Sequence, residues 1–293
     1  MSESLPPTEA RQTRSAGLDL LKTRDLIEVI VRDQSEAVDA VYEKADVIAR
    51  VVDAVSARLL RGGRLHYIGA GTSGRLGVLD ASEMPPTFGT APELVCAHIA
   101  GGDRALRRAI EGAEDDANAG AAEMRDHVMP GDAVIGLSAS GGARYVAAAL
   151  EVARAAGALT IAITSNESSV LARTAEISIA LATGAEVLTG STRLKAGTAQ
   201  KITLNAISTA VMVRLGKVYD NLMVDVVATN VKLRARALRL VQTLTGADEE
   251  RAQAALAQSG GSVKVAVVML VRGVDPVRAR ALLQEASTLR SLL

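Results

Sequence analysis

Hydrophobic positions between Thr23 and about Leu60 recur mostly at steps of three and four residues, a spacing typical of amphipathic helices. Residues 1–20 are polar and contain two prolines, so we expect a loose arm ahead of this helical lead-in. Two glycines, Gly62 and Gly63, end the helical pattern.

Beyond these glycines, short apolar runs alternate with helical stretches. The runs predict five strands, at Arg64–Ile68, Leu94–Ile99, Ala133–Leu137, Leu159–Thr164 and Ile177–Leu181. The stretches between and after them predict five helices. One begins at about Ser73, a second covers Arg104–His127 with a break near Gly112, a third follows the third strand and ends at about Ala156, a short fourth lies around Val170, and a long fifth covers about Arg193–Leu215. Such alternation favours an α/β fold, a parallel sheet flanked by helices.

No further strand is predicted after about Lys232. Three short helices follow there, at Ala247–Gln258, Val263–Arg272 and Pro276–Glu285. Asp275 and Pro276 form a typical helix start. We therefore divide the chain into an arm with helices (1–50), a sheet domain (51–232) and a small helical subdomain (233–293).

Composition excludes several classes of function. The 33 Lys and Arg residues balance 33 Asp and Glu residues, and aromatic residues make up 2%, which argues against a nucleic-acid partner. With one cysteine, Cys96, no intramolecular disulfide is possible, and the three histidines show no ligand spacing, so we expect no metal site. The longest apolar run, Val265–Val271, is too short to span a membrane, and we expect a cytoplasmic protein.

Two loops rich in serine and glycine each follow a predicted strand and precede a predicted helix. The first contains Gly71, Thr72 and Ser73, and the second contains Ser138 and Ser140. Hydroxyl donors and an exposed helix N-terminus bind phosphate well. Because loops at the carboxyl ends of neighbouring strands can converge, we predict that they form one sugar-phosphate site.

A third segment, Thr189–Thr198, places hydroxyls and two cations at the start of the long helix, and we expect Ser191 and Lys195 to help hold an anion. Two glutamates are candidates for proton transfer. Glu83 follows the first loop by one helix, which we expect to hold it in place near the sugar, and two prolines after it predict an extended segment. Glu114 is one of four carboxylates in the segment Glu111–Asp116, and a helix break at Gly112 could aim it inward.

Several segments together resemble the N-acetylmuramic acid 6-phosphate etherases. The most specific one runs from Tyr67 through Glu83 and on to Gly89. The others are Glu111–Asp116, Gly184–Val187, Thr189–Ser191, Lys195–Lys201, Gly216–Tyr219 and Asn221–Val226. The loop Gly141–Tyr145 departs from the family's usual Arg-Thr-Pro-Tyr, which bears on substrate affinity more than on reaction type.

The resemblance implies a sugar isomerase-like (SIS) sheet domain and a lyase that cleaves the lactyl ether of N-acetylmuramic acid 6-phosphate. Its products would be N-acetylglucosamine 6-phosphate and D-lactate, in the recycling of cell-wall sugar, with no metal or redox cofactor. It also implies that Glu83 is the proton donor and Glu114 a second active-site residue. We assign the base to Glu114 and expect a homodimer.

Two other readings share the fold. An aldose–ketose sugar-phosphate isomerase would use the same phosphate loops but lacks the Glu83–Phe88 segment. A non-catalytic sugar-phosphate sensor, similar to the glucokinase regulatory protein, could dispense with Glu83. Release of lactate separates the etherase from both.

Overall fold

The computed structural model describes residues 6–226, 228, 231–286 and 288–293. It contains two compact units, one formed by Met1–Ser82 with Glu93–Thr209 and the other by Glu83–Pro92 with Ala210–Leu293. The division at residues 50 and 232 stays a prediction.

The first unit is built on a five-stranded parallel sheet, which confirms the predicted α/β architecture. Its strands are β1 (Leu65–Gly69), β2 (Val95–Ile99), β3 (Ala133–Leu137), β4 (Leu159–Thr164) and β5 (Ile177–Ala180). They lie in the order β2-β1-β3-β4-β5. The chain therefore goes from β1 outward to β2 on one side and then crosses to β3 on the other.

Helices connect and cover the strands. In the described part of the chain they are α1 (Thr23–Asp33), α2 (Ser35–Tyr42), α3 (Ala45–Leu59), α4 (Gly71–Ser82), α5 (Met84–Phe88), α6 (Ala117–His127), α7 (Arg144–Ala155), α8 (Val170–Thr174), α9 (Lys195–Arg214), α10 (Val231–Thr245), α11 (Glu249–Gln258), α12 (Val263–Arg272) and α13 (Pro276–Glu285). The predicted helical lead-in is confirmed as α1–α3.

Helices α4 and α7 pack on opposite faces of the sheet. A Cβ on Gly77 of α4 would lie 3.0 Å from the Cβ of Tyr67, whereas a Cβ on Gly136 would lie 2.8 Å from a methyl of Val146 on α7. Residues of a strand alternate between faces, so Tyr67 and Gly136 belong to different sides of the sheet. The core on the α7 side includes Ile68, Val134, Val146, Leu150 and Ala162.

Asp80 links three elements inside the first unit. It is buried, and its carboxylate accepts hydrogen bonds from Tyr67 Oη on β1 at 2.9 Å and from Asn205 Nδ2 on α9 at 2.6 Å. Burial raises the pKa of Tyr67 far above its ordinary value, so the phenol stays a hydrogen-bond donor. These contacts fix α4 against the sheet.

Two expectations about local structure are wrong. The segment at 6–20 is an ordered run of short 3₁₀ turns, in which Thr8 is buried and Gln12 Nε2 donates to Asp33 Oδ1 at 2.7 Å. Only the second half of 104–127 is an α-helix, because Gly112, with φ 73°, ends the first half as short 3₁₀ turns.

The second unit contains α5 and α10–α13. Its apolar core is formed by side chains from the last four helices, among them Val241, Ala252, Val263, Val267 and Ala279. Asp275 caps α13 by accepting a hydrogen bond from Arg278 N at 2.8 Å, as the sequence predicts. The small C-terminal helical part is therefore confirmed.

Within the described residues, no single helix has both the length and the apolar character that crossing a membrane requires. Helices α11 and α12 meet that requirement as a pair, with a bend of 117° between them.

Candidate functional site

The first serine–glycine loop is shaped by close packing of β1 against the start of α4. A Cβ on Gly69 would lie 2.7 Å from Gly74 N, and one on Gly74 would lie 2.8 Å from Gly69 O. Gly71 has φ 53°, and a Cβ there would meet nothing within 4 Å. The loop therefore leaves open space at the N-terminus of α4, where the first turn carries N–H groups without intrahelical partners.

Hydroxyls of the first loop differ in how freely they can meet a ligand. Thr72 is half-buried at the loop surface, whereas Ser73 is 7% exposed. The Ser73 Oγ donates to Gln200 Oε1 on α9 at 2.8 Å. Gln200 is fully buried, and its Nε2 has no hydrogen-bond partner among the described residues. Sequence reasoning missed Gln200, although it lies within the family-like segment Lys195–Lys201.

The second loop follows β3 and is braced by the end of β4. Gly141 N donates to Ser138 Oγ at 3.1 Å, and Gly142 N donates to Ser140 Oγ at 3.2 Å. Gly141 has φ 70°, and a Cβ there would lie 2.2 Å from Ser169 Oγ. In both serines the hydroxyl oxygen accepts within the loop, which leaves the hydroxyl proton for another acceptor.

Both loops lie at one edge of the sheet. β1 and β3 are neighbours, and Gly69, the last residue of β1, pairs with Leu137, the last residue of β3. The strand order reverses between these two strands, and the crevice at such a switch point is where open α/β sheets bind ligands. The structure thus brings Gly71, Thr72 and Ser73 to the same edge as Ser138 and Ser140.

Glu114 lies in a 3₁₀ turn, Ala113–Asp115, beside this edge. Its neighbour Ala113 and Ala70 of the first loop pack against the same apolar cluster. This cluster contains Ala143, at the end of the second loop. The predicted break at Gly112 is confirmed, but Glu114 is exposed and does not point inward.

Glu83 follows α4 directly and belongs to the second unit. It is exposed and is the N-cap residue of α5. The prediction that the prolines extend the chain is wrong, because Pro85 and Pro86 lie in the first turn of α5. Proline is tolerated there, since the N–H groups of a first helical turn have no intrahelical partners.

The third predicted anion site, in the segment Thr189–Thr198, is occupied by a carboxylate of the protein itself, that of Glu186. Glu186 is fully buried, and its carboxylate accepts from Lys195 N and Ala196 N at 2.9 Å each, which caps α9. Burial raises the pKa of Glu186 above its ordinary value, against the effect of these backbone donors. Ser191 is half-buried in the turn before α9, where its N–H donates to Leu188 O.

Lys195 is likewise held by protein carboxylates. Its side chain is 1% exposed, and its Nζ lies 3.2 Å from Asp33 Oδ1 and 2.6 Å from Glu36 Oε2. The hydrogen bond from Lys195 lowers the pKa of Glu36. The expectation that this ammonium group helps to hold a substrate anion stays a prediction, and it has to compete with the two carboxylates on the helical lead-in that already match the charge.

Comparison with known proteins agrees with this architecture. The N-terminal SIS domain of the glucokinase regulatory protein matches residues 46–154, the SIS domain matches 115–210, and the C-terminal lid domain of the glucokinase regulatory protein matches 220–264. A proposed phosphosugar isomerase involved in capsule formation from Bacteroides fragilis shares the fold, with a TM-score of 0.51, 19% identity, and coverage of 67% of this chain and 94% of that one.

Sequence relatives are much closer. The N-acetylmuramic acid 6-phosphate etherase of Symbiobacterium thermophilum is 52% identical over 91% of this chain and 89% of its own length. The protein of the same name from Deinococcus radiodurans is 50% identical over 95% and 93%. The chain belongs to the N-acetylmuramic acid 6-phosphate etherase family.

Proposed function

We propose that this protein is a lyase that cleaves the D-lactyl ether of N-acetylmuramic acid 6-phosphate. The observation that carries the proposal is the pair of serine–glycine loops at the β1–β3 switch point, in a chain half identical to named etherases. The substrate is a small sugar phosphate, and its products are N-acetylglucosamine 6-phosphate and D-lactate. The reaction serves the recycling of cell-wall amino sugars.

The phosphate binds at the start of α4. Open space at Gly71 lets the anion approach the first-turn N–H groups, and the hydroxyls of Thr72, Ser138 and Ser140 surround the same edge. Ser73 contributes through its backbone N–H, since its hydroxyl proton is directed at Gln200. Ser191 lies in the turn before α9, and we assign it a sugar contact, while Lys195 takes no part.

The chemistry requires one base and one acid. In the open-chain sugar, the C2 proton is acidic because it is alpha to the aldehyde. A base removes it, the C3–O bond breaks, and an acid protonates the departing lactate oxygen. Water then adds to the unsaturated aldehyde. We assign the base to Glu114 and the acid to Glu83, each worth about 10²–10⁴-fold in rate.

The length of α4 constrains how the two glutamates meet. Its twelve residues separate its two ends by about 17 Å, and Glu83 comes directly after the far end. The C6 phosphate and the C3 ether oxygen are three carbon–carbon bonds apart, a much shorter span. The helix therefore holds Glu83 away from a phosphate at its own Gly71, contrary to the expected positioning role. We propose a homodimer in which each site takes Glu83 from the second copy.

Mixing two inactive variants tests this arrangement. Glu83→Gln and Glu114→Gln should each lower lactate release about 10²–10⁴-fold. When the two are co-refolded, a mixed dimer keeps one site with both glutamates, so activity should return to about one quarter of the wild-type value. Mixing Glu83→Gln with the double variant is the control and should restore nothing.

The outcomes separate the two parts of the proposal. No recovery on mixing would contradict shared sites while leaving the etherase reaction intact. Failure of the wild-type protein to release lactate would contradict the etherase itself. Interconversion of aldose and ketose phosphates, or sugar-phosphate binding with no turnover, would then identify an isomerase or a sensor. We also propose a cytoplasmic location, which cell fractionation checks.

A further inference from the structure

The three histidines of the chain, far apart in sequence, gather at the edge of the sheet formed by β2. His66 Nδ1 lies 3.0 Å from His98 Nε2, and the two rings stack with their centroids 5.3 Å apart. The ring of His127, at the end of α6, is 5.0 Å from that of His98. Sequence spacing gave no sign of this cluster, because its members come from β1, β2 and α6.

Hydrogen-bond accounting fixes the protons along one side of the cluster. Asp132 accepts from Arg64 N at 2.8 Å, Met129 N at 2.9 Å and the Arg64 guanidinium at 3.0 Å, and its pKa is lowered despite its burial. It is therefore an ionised acceptor, and His66 Nε2, 3.2 Å away, must donate to it. The neutral ring has one proton, which lies on Nε2 toward Asp132, so the Nδ1 of His66 accepts.

The same accounting leaves one contact without a proton. Because His66 Nδ1 accepts, His98 Nε2 must donate. In the neutral ring with its proton on Nε2, the Nδ1 of His98 then carries a bare lone pair. Yet this Nδ1 lies 2.7 Å from Glu123 Oε1, which is also an acceptor. Two lone pairs at this separation need a cation between them, either a proton on His98 Nδ1 or a metal ion, and the third donor nearby, His127, favours the metal.

We propose that His98, Glu123 and His127 form a binding site for a divalent transition metal, with Zn²⁺ as the best match. His127 Nδ1 lies 3.6 Å from Glu123 Oε1, and one ligand atom from each residue falls within 4.8 Å of the others. Ligands of tetrahedral zinc at their usual bond lengths are about 3.3 Å apart. Two imidazoles and one carboxylate are a donor set that zinc accepts, with a fourth position for water.

The surroundings support the site in a second way. A metal-bound histidine normally donates its other ring N–H to a hydrogen-bonded partner that fixes its tautomer. Here His98 donates to His66, which donates to Asp132, and this chain favours the tautomer whose metal-facing nitrogen carries no proton. The guanidinium of Arg64 opposes a cation nearby, but it is paired with Asp132.

The exposed ligand can move to complete the site. The side chain of His127 is 50% exposed and that of Glu123 is 35% exposed, so ions reach both from solvent. His127 Nδ1 now donates to the backbone oxygen of Glu123 at 2.8 Å, and metal binding exchanges this hydrogen bond for a metal bond. The ion would then tie the edge strand β2 to α6.

Zinc titration of tag-free, chelator-treated protein tests the proposal. The wild-type chain should bind one Zn²⁺, and its melting temperature should rise with zinc concentration. Glu123→Gln and His127→Gln, both at accessible positions of α6, should each weaken zinc binding by more than about 100-fold. Glu151→Gln removes an exposed carboxylate from α7 and should leave binding unchanged, as should Cys96→Ser, which removes the one thiol.

Imidazole nitrogen NMR supplies an independent readout. Zinc should shift His98 Nδ1 while His98 Nε2 keeps its proton. The proposal is overturned if the wild-type protein binds no zinc, and a proton on His98 Nδ1 would then show that the contact with Glu123 is a hydrogen bond. It is equally overturned if Glu123→Gln and His127→Gln bind zinc as tightly as the wild type.

Discussion

The starts of α4 and α9 look alike in sequence and differ in what they hold. Hydroxyls and glycines lie within or just before the first turn of both helices, and both offer a helix N-terminus to an anion. At α4, the backbone opens at Gly71, and a Cβ there would meet nothing within 4 Å. At α9, the carboxylate of Glu186 already fills the position and accepts two backbone N–H groups.

This difference teaches that a helix start is a ligand site only when the chain does not supply its own anion. Glu186 lies nine residues ahead of Lys195, close enough in sequence for the turn between them to fold it back onto the helix. Lys195 is matched in turn by Asp33 and Glu36 from the helical lead-in. Substitutions at α9 should therefore change stability, and substitutions at α4 should change substrate binding.

The largest effect is expected at Lys195. Lys195→Met removes the buried cation and leaves the buried carboxylate of Asp33 without its closest cation, which should cost about 3–5 kcal/mol of unfolding free energy. Urea denaturation measures this loss, and the KM of the folded variant should stay unchanged. Lys201→Met, at an exposed position of the same helix, is the matched control and should be nearly neutral. A raised KM with unchanged stability would show that Lys195 binds substrate after all.

A smaller and purely kinetic effect is expected at Ser140. Its hydroxyl accepts only from Gly142 N in the described contacts, so Ser140→Ala should leave stability nearly unchanged. Loss of one hydrogen bond to the charged phosphate, about 1.5–3 kcal/mol, should raise KM by about 10- to 100-fold. Ser168→Ala, on the exposed neighbouring loop, is the control. An unaltered KM for Ser140→Ala would mean that the phosphate binds elsewhere.

Substitution of Ser73 should change both stability and KM, because this residue lies at the start of α4 and contacts Gln200 on α9. Ser73→Ala leaves the buried Gln200 Oε1 without its donor, which should lower the unfolding free energy by about 1–3 kcal/mol. KM should rise as well, since the Ser73 backbone would shift. Urea denaturation and steady-state kinetics on one preparation separate the two, and a variant with wild-type stability would contradict the Gln200 contact.

Local pattern was enough to predict most of the fold. β3 and β4 were predicted with their observed bounds, as were α12 and α13, because apolar periodicity and the Asp275 cap act over a few residues. The break at Gly112 was predicted, but the 3₁₀ turns around it were not. The predicted convergence of the two loops followed from parallel topology alone.

Partners from distant segments could not be predicted. Lys195 looked like a free cation because Asp33 lies 162 positions away, and Gln200 gave no sign of contact with Ser73. The gathering of the three histidines could not be predicted for the same reason, since spacing along a chain says little about residues on neighbouring strands. Whether a charged residue serves a ligand or the fold depends on these long-range pairings.

The smallest expected effect is a difference in pH dependence between two carboxylates at α9. The pKa of Glu36 is lowered, chiefly by the hydrogen bond from Lys195, so its contribution to stability is present above about 4.5 and is lost as pH falls through its folded value. The pKa of Glu186 is raised, chiefly by burial, so its contribution is present below about 4.5 and is lost as pH rises through its folded value.

The two carboxylates should therefore act in separate pH windows. Glu36→Gln should flatten the fall of unfolding free energy on the acid side of pH 4.5, whereas Glu186→Gln should flatten the decline on the neutral side. Urea denaturation of the wild type and both variants between pH 3 and pH 7 measures these slopes, about 1.4 kcal/mol per pH unit for one full proton. If Glu186→Gln instead flattened the slope on the acid side, the pKa of Glu186 would be lowered in the folded protein. The backbone donors at the start of α9 would then stabilise the carboxylate by more than its burial destabilises it.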